Sequence, residues 1–268
     1  MRKRRDERVL AAVRPNVGVQ LQYQRRLESL IKAMNDSFIF WLKAAYRKNP
    51  PVLLAQDEVT PASQLRIAIN KLTRQWEKNF DAGAKDLAKY FALSASRRSD
   101  AALRAILRKA GMSVKFQMTP AMRDILTATV NENVALIKSI PQQYATQVAG
   151  SVMRSVTAGR DLASLSKELQ QHYGVTRRRA AFIALDQNNK CFAAFTRARQ
   201  VELGITQAEW RHSHGGREPR KTHLANDGRR YDTNRGWFDP DPKVRRHIFP
   251  GELPRCRCVS RSVVRGFT

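Results

Sequence analysis

Apolar residues recur at intervals of three and four along the chain as far as Gly204, and the pattern changes there. From about Val19 to Arg47, the residues Leu27, Leu30, Ile31, Met34, Phe38 and Leu42 fall on one helical face. The Lys48-Asn49-Pro50-Pro51 run should end that helix, because proline has no amide donor and restricts the residue before it. Thr60-Pro61 predicts the next start, with Thr as N-cap and Pro in the first turn. Its inner face is Leu65, Ile69, Leu72, Trp76 and Phe80; Gly83 weakens the pattern, and Leu87, Tyr90 and Phe91 extend it. A further helix is expected over about 99–110, stopping at Gly111. Thr119-Pro120 repeats the start signal, Met122, Ile125, Leu126, Val130, Val134 and Ile137 form the inner face, and Pro141 is expected to close the helix after Ile140. Tyr144, Val148, Val152 and Val156 predict a helix to Gly159, and Leu162, Leu165 and Leu169 a short one ending near Gly174. Thr176 is expected to cap a long helix through about Leu203, burying Ala180, Ala184, Gln187, Cys191, Phe195 and Ala198. On that stripe Cys191 reads as a small buried side chain, not a reactive thiol.

After Gly204 the apolar runs are short, turn residues are frequent, and nearly all the histidine and cysteine is found. This texture predicts a compact, turn-rich module, α+β or mainly β. The expected fold is therefore a mainly α-helical body with a small C-terminal α+β, turn-rich module. Its parts are a basic N-terminal arm over 1–18, a helical domain over 19–204 and the module over 205–268.

Bulk composition narrows the function. With 268 residues and 42% hydrophobic content the chain can bury a sizeable core. No apolar run is long enough to span a bilayer, and the basic N-terminus is not followed by the apolar core of a signal peptide, so membrane partners are not expected. Three cysteines exclude a disulfide-rich scaffold. The 49 Lys and Arg against 23 Asp and Glu give a net charge of +26, which attracts polyanions. Because the basic residues are spread along the chain, double-stranded DNA would be bound non-specifically, without base reading.

Specific chemistry is concentrated near the end: Trp210, Arg220-Lys221-Thr222-His223, Asn226-Asp227-Gly228, Tyr231, Pro250-Gly251 and Cys256-Arg257-Cys258. The Asn-Asp-Gly and Pro-Gly turns can fold the His223 and Cys256–Cys258 segments onto each other. His223, Cys256 and Cys258 are candidate ligands for a structural zinc, with His212 or His214 as the fourth. The single residue between the cysteines is shorter than the usual zinc spacing, and the competing reading is packing and hydrogen bonding with no cofactor. His223, Asn226 and Asp227 also have a superficial likeness to metal nucleases, but a second convincingly placed histidine is missing, since His247 lies in a basic, Pro-flanked stretch. The expectation is a protein that is not an enzyme.

The order of these residues resembles the phage Mu F-like, SPP1 gp7-like head morphogenesis family. The pattern is carried by Trp210, Arg220, His223, Asp227, Gly228, Pro250, Gly251, Cys256, Arg257 and Cys258. Upstream, NENVALIKSIPQQYATQVAGSV and GRDLASLSKELQQHYGVTRRRAAFIALDQNNK resemble the helical region before that domain, so the likeness covers about 120–268. The resemblance implies a minor capsid protein of a tailed bacteriophage. It would be assembled in the bacterial cytoplasm and incorporated near the portal vertex in the head interior. The portal protein would be its partner, with scaffold or major capsid protein as further candidates. It would act in procapsid assembly and in handling DNA during packaging and ejection.

Overall fold

The computed structural model describes residues 7–48, 61–158, 162–215 and 218–265. The basic run before Glu7, the Asn49-Pro50-Pro51 stop, the Thr60 cap and the Gly159 stop lie outside them. The described chain is mainly helical with a C-terminal antiparallel sheet, as the hydrophobic pattern predicts. Strand β1 (Glu7–Val9) precedes α1 (Val17–Lys48), α2 (Pro61–Lys109), α3 (Pro120–Thr157) and α4 (Leu162–Glu202). There follow β2 (Gln207–Arg211), α5 (Lys221–Ala225), β3 (Arg230–Asp232), β4 (Trp237–Asp239), β5 (Arg246–Ile248) and β6 (Val259–Arg265).

The helices are longer and fewer than their punctuation suggests. α2 runs through Gly83 and absorbs the separate helix expected over 99–110, because Ala84, Ala88, Phe91, Ala92 and Ala95 keep a buried face past the glycine. α3 passes through Pro141 instead of ending at Ile140. Ile137, Ile140, Tyr144 and Ala145 are buried on both sides of the proline, and this burial outweighs the amide bond it removes. α4 likewise runs through Gly174, and Thr176 caps nothing: its hydroxyl donates to His172 O one turn back at 2.9 Å. Other end signals act as expected. Thr119 Oγ1 accepts from Met122 N at 3.3 Å, while Asn16, not anticipated, caps α1 by accepting from Val19 N at 3.0 Å. Gly111 and Gly204 end α2 and α4 with φ of 86° and 68°, each followed by an amide that bonds back to the last turn (Met112 N to Leu107 O, Ile205 N to Gln200 O, both 2.9 Å).

The chain divides into two compact units that do not coincide with the boundary expected near 204. One comprises Leu21–Lys89 and Val130–Ala184. Its core is the predicted stripe of α1 (Leu27, Ile31, Met34, Phe38, Leu42) with Leu65, Ile69 and Phe80 of α2, Tyr144, Val148 and Val152 of α3, and Leu165 and Leu169 of α4. Two buried tyrosines are satisfied by buried asparagines: Tyr23 Oη donates to Asn133 Oδ1 at 2.9 Å and Tyr144 Oη to Asn35 Oδ1 at 2.8 Å.

The other unit comprises the N-terminal segment to Gln20, Tyr90–Thr129 and Leu185–Thr268. Its four-stranded antiparallel sheet has the order β1-β6-β2-β3, and β4 and β5 form a separate hairpin. The segment read as a basic arm thus supplies a strand: β1 pairs with β6, Leu10 N donates to Ser262 O, and Leu10 and Val13 are buried. Val9, Leu10 and Val13 were overlooked because charge dominates the run. In the same unit Arg199, 1% exposed, forks onto Asp100 at 2.9 and 2.7 Å and packs over the Phe116 ring.

Candidate functional site in the C-terminal module

β2 faces the module core with Ala208 and Trp210, and the pleat turns Gln207, Glu209 and Arg211 away. Trp210, fully buried, is the hub. Its ring meets those of His223, Trp237 and Tyr231 edge-on at centroid distances of 5.0, 5.3 and 6.1 Å. The Asn226-Asp227-Gly228 turn follows the one-and-a-half-turn helix α5 and returns the chain beside β2, with Gly228 at φ 76° and its amide on Trp210 O. The predicted return of this segment is realised, with Tyr231 of β3 opposite Ala208.

α4 seats the module through polar side chains. Gln200 Nε2 donates to Ser260 Oγ and Ser262 Oγ of β6, both at 2.9 Å, and Tyr231 Oη donates to Ser260 Oγ at 2.6 Å. Arg197 donates to Thr233 O and Asn234 O at 3.1 Å and lies 3.6 Å above the Phe249 ring. One turn-rich stretch of α4, Asp186-Gln187-Asn188-Asn189, is buried throughout. Asp186 accepts from Arg255 N at 2.6 Å, and Asn188 donates to Asn16 O at 3.2 Å. Gly251 sits against this helix so tightly that a Cβ there would lie 2.8 Å from the Ala193 Cβ, and its φ is 84°. The Pro250-Gly251 turn therefore fixes the approach of the Cys256–Cys258 segment. Cys191 is buried on α4, as its stripe position predicts.

His223, Cys256 and Cys258 are brought together, all buried. His223 Nδ1 lies 3.5 Å from Cys256 Sγ and 3.6 Å from Cys258 Sγ. The short spacing of the cysteines is what allows this, since side chains two apart on a near-extended segment share a face while Arg257 between them turns out to bond Gly215 O. Hydrogen bonding from Cys258 and His223 pulls the Cys256 thiol well below the ordinary thiol range against the cost of burial. The adjoining Cys256 sulfur and burial push Cys258 upward, opposed by the Trp210 indole N–H and the Ser213 amide. Two neighbouring buried thiolates repel each other, so one ionises at the expense of its partner.

The sequence reading missed a fourth participant. Asp239 of β4, 0% exposed, places Oδ2 3.3 Å from His223 Nε2, while its Oδ1 accepts from Asp241 N at 3.0 Å. The alternation Trp237-Phe238-Asp239, with Phe238 outward, puts an acid on an inward face, and that was the available signal. Its setting among Pro240, Asp241 and Pro242 made it resemble a turn residue. The two histidines considered as further ligands are placed differently. His214 is largely exposed and pairs with Asp227 Oδ2 at 3.0 Å. His212 is buried, and its Nδ1 accepts from His214 N at 3.0 Å. Asp227 is committed to this loop, accepting from His212 N at 2.8 Å, and Asn226 is buried beneath it. The residues with a likeness to nucleases are thus split between the sulfur cluster and the 211–214 loop. His247 packs on Phe238 in the outer hairpin. One imidazole nitrogen and two sulfurs are donors of the kinds that bind zinc.

No helix among the described residues is long and apolar enough to cross a membrane. No solved structure matches the chain. An uncharacterized protein of Haemophilus influenzae is 27% identical over 259 residues, covering 94% of this chain. The match takes up 55% of that protein, so the chain spans about half the length of its relative. The model of the family described as phage Mu protein F like protein matches residues 146–261, a stretch that begins in α3, includes all of α4 and takes in the hub, the turns and the sulfur cluster. Over residues 146–261 the chain is thus similar to the phage Mu protein F like family.

Proposed function

We propose that this chain is a minor head protein of a tailed bacteriophage, incorporated during procapsid assembly near the portal vertex, with the portal protein as its direct partner. The observation that carries the reading is the coincidence between the family match over 146–261 and a physically defined object: α4 with the module seated on it. Buried polar groups of that object serve seating, as Gln200 and Asp186 do, and Gly251 packs closely on α4, which suits a part that must be held rigidly within an assembly. The test is assembly in a host expressing portal, scaffold and major capsid proteins with and without this chain. The chain should be found in procapsids that contain portal and be depleted from those assembled without it. Equal incorporation in both would remove the portal from the account.

A second reading coexists with the first and rests on the net charge of +26. The chain would contact the packaged double-stranded DNA without sequence preference, the phosphate backbone being the ligand. Affinity for unrelated duplexes should then be equal and should fall linearly with salt on logarithmic axes. A preference for one sequence that survives high salt would contradict it.

A further inference from the structure

We propose that His223, Cys256 and Cys258 bind one zinc ion through three protein ligands, leaving the fourth position open to a surface cavity. The distances carry the argument. A tetrahedral ion with Zn–S about 2.3 Å and Zn–N about 2.0 Å holds sulfur and nitrogen about 3.5 Å apart. The two sulfurs lie 3.5 and 3.6 Å from the same ring nitrogen. Hydrogen bonding accounts for this poorly, because the unprotonated nitrogen of a neutral imidazole has one in-plane lone pair and two thiols converge on it. A cation at their common centre satisfies all three donors.

Asp239 supplies the independent observation. A carboxylate with no exposed surface is costly unless a positive charge compensates it. It stands 3.3 Å from the ring nitrogen of His223 that faces away from the sulfurs. That is the carboxylate–histidine–metal arrangement, in which the outer carboxylate fixes the tautomer and frees the opposite nitrogen as a ligand. Neither His223 Nε2 nor Asp239 Oδ2 has an aligned hydrogen bond as the side chains stand, so a small rotation of the ring on metal binding completes the pair.

The fourth position follows from the histidines nearby. His214 is held outside by Asp227. His212 lines a cavity of about 240 Å³ together with His223, Cys256 and Cys258. Its Nδ1 is an acceptor for His214 N, so in the neutral ring the proton sits on Nε2, which is then a donor and not a ligand. His212 thus offers a donor, not a ligand atom, to the cavity. The exposed Arg255 and Arg257 line the same cavity and bring it to the surface. This proposal is independent of the role in head assembly, since metal content is measured on the purified chain.

The test is metal analysis of the full chain purified without chelators, followed by replacement with cobalt(II). About one zinc per chain is expected, and the cobalt form should show thiolate-to-metal absorption and the intense visible bands of a four-coordinate site. A chain with substoichiometric zinc that also takes up no cobalt overturns the proposal. Asp239→Asn keeps every ligand and should weaken zinc roughly 10- to 100-fold; unchanged affinity would remove Asp239 from the site. Cys256→Ser should reduce the thiolate band by half or more, and wild-type stoichiometry keeps the test decisive if that variant does not fold. His212→Ala and His214→Ala should both retain the metal, and azide should shift the visible cobalt bands. Loss of metal in His212→Ala, or a spectrum indifferent to azide, would show a closed site and overturn the open position.

Discussion

The four-helix unit and the C-terminal module are stabilised in different ways. The first buries a long, repetitive apolar stripe on each helix, and its polar groups, such as the Tyr23–Asn133 and Tyr144–Asn35 pairs, are additions to a core that exists without them. The second has a core of Ala208, Trp210, Tyr231, Ile248, Leu253, Cys256 and Cys258, drawn from short strands and turns. Such a small apolar cluster offsets little chain entropy, so position-specific contacts must make up the difference. A periodic core tolerates the loss of one member, whereas a hub does not.

The sharpest way to break that comparison is Trp210→Ala. Deleting a fully buried tryptophan costs about 3–5 kcal/mol, and here it removes the ring on which His223, Tyr231 and Trp237 all lean. Hydrogen exchange should show protection lost in β2, β3 and β6, with α1 of the helical unit unchanged. Next in size is a pair of glycine substitutions. Gly111 and Gly251 both have positive φ, but a Cβ at Gly111 meets nothing within 4 Å, while at Gly251 it meets Ala193 at 2.8 Å. Gly111→Ala should cost about 1–2 kcal/mol from backbone strain alone. Gly251→Ala should cost about 2–5 kcal/mol, because overpacking against α4 is added to the strain. Equal effects in urea denaturation would mean that the close seating on α4 is unimportant.

A smaller effect belongs to the helical unit. Tyr144→Phe removes one buried hydrogen bond and leaves Asn35 Oδ1 without that donor, for a cost of about 1–2 kcal/mol by urea denaturation. A loss above about 4 kcal/mol would mean that this core is as dependent on single polar contacts as the module is. The smallest concerns the exposed turn after β3. Amides of Arg235 and Asn234 donate to Asp232 Oδ1, both at 2.8 Å, and hold its carboxyl below the usual carboxylate range. A folded value below the unfolded one means that the turn is stabilised fully above the ordinary carboxylate pKa. That contribution is lost as pH falls through the lowered folded value. NMR titration should place Asp232 below about 3.9, and Asp232→Asn should abolish this local acid dependence; a value at or above it would contradict the assignment.

How much was legible in the sequence follows the same division. Helical faces could be read from α1 to α4 because burial repeats every three to four residues and each repeat confirms the last. The misplaced ends fall at Pro141 and Gly174, where local propensity argues for a stop and burial on both sides overrides it. In the module, the order of turns and donors was enough to gather His223, Cys256 and Cys258. Asp239 and Asp186 were not anticipated, since their roles depend on partners 16 and 69 residues away in the chain, His223 and Arg255. Strand β1 was missed for a similar reason, its partner β6 lying at the opposite end of the sequence.

The central proposal is that the module and its α4 seat make this chain a component of the phage head. Procapsids assembled in cells with portal, scaffold and major capsid proteins should contain the wild-type chain and exclude a Gly251→Ala variant that retains its helical circular dichroism. Procapsids that take up the variant as readily as the wild type, or that contain neither, would contradict it.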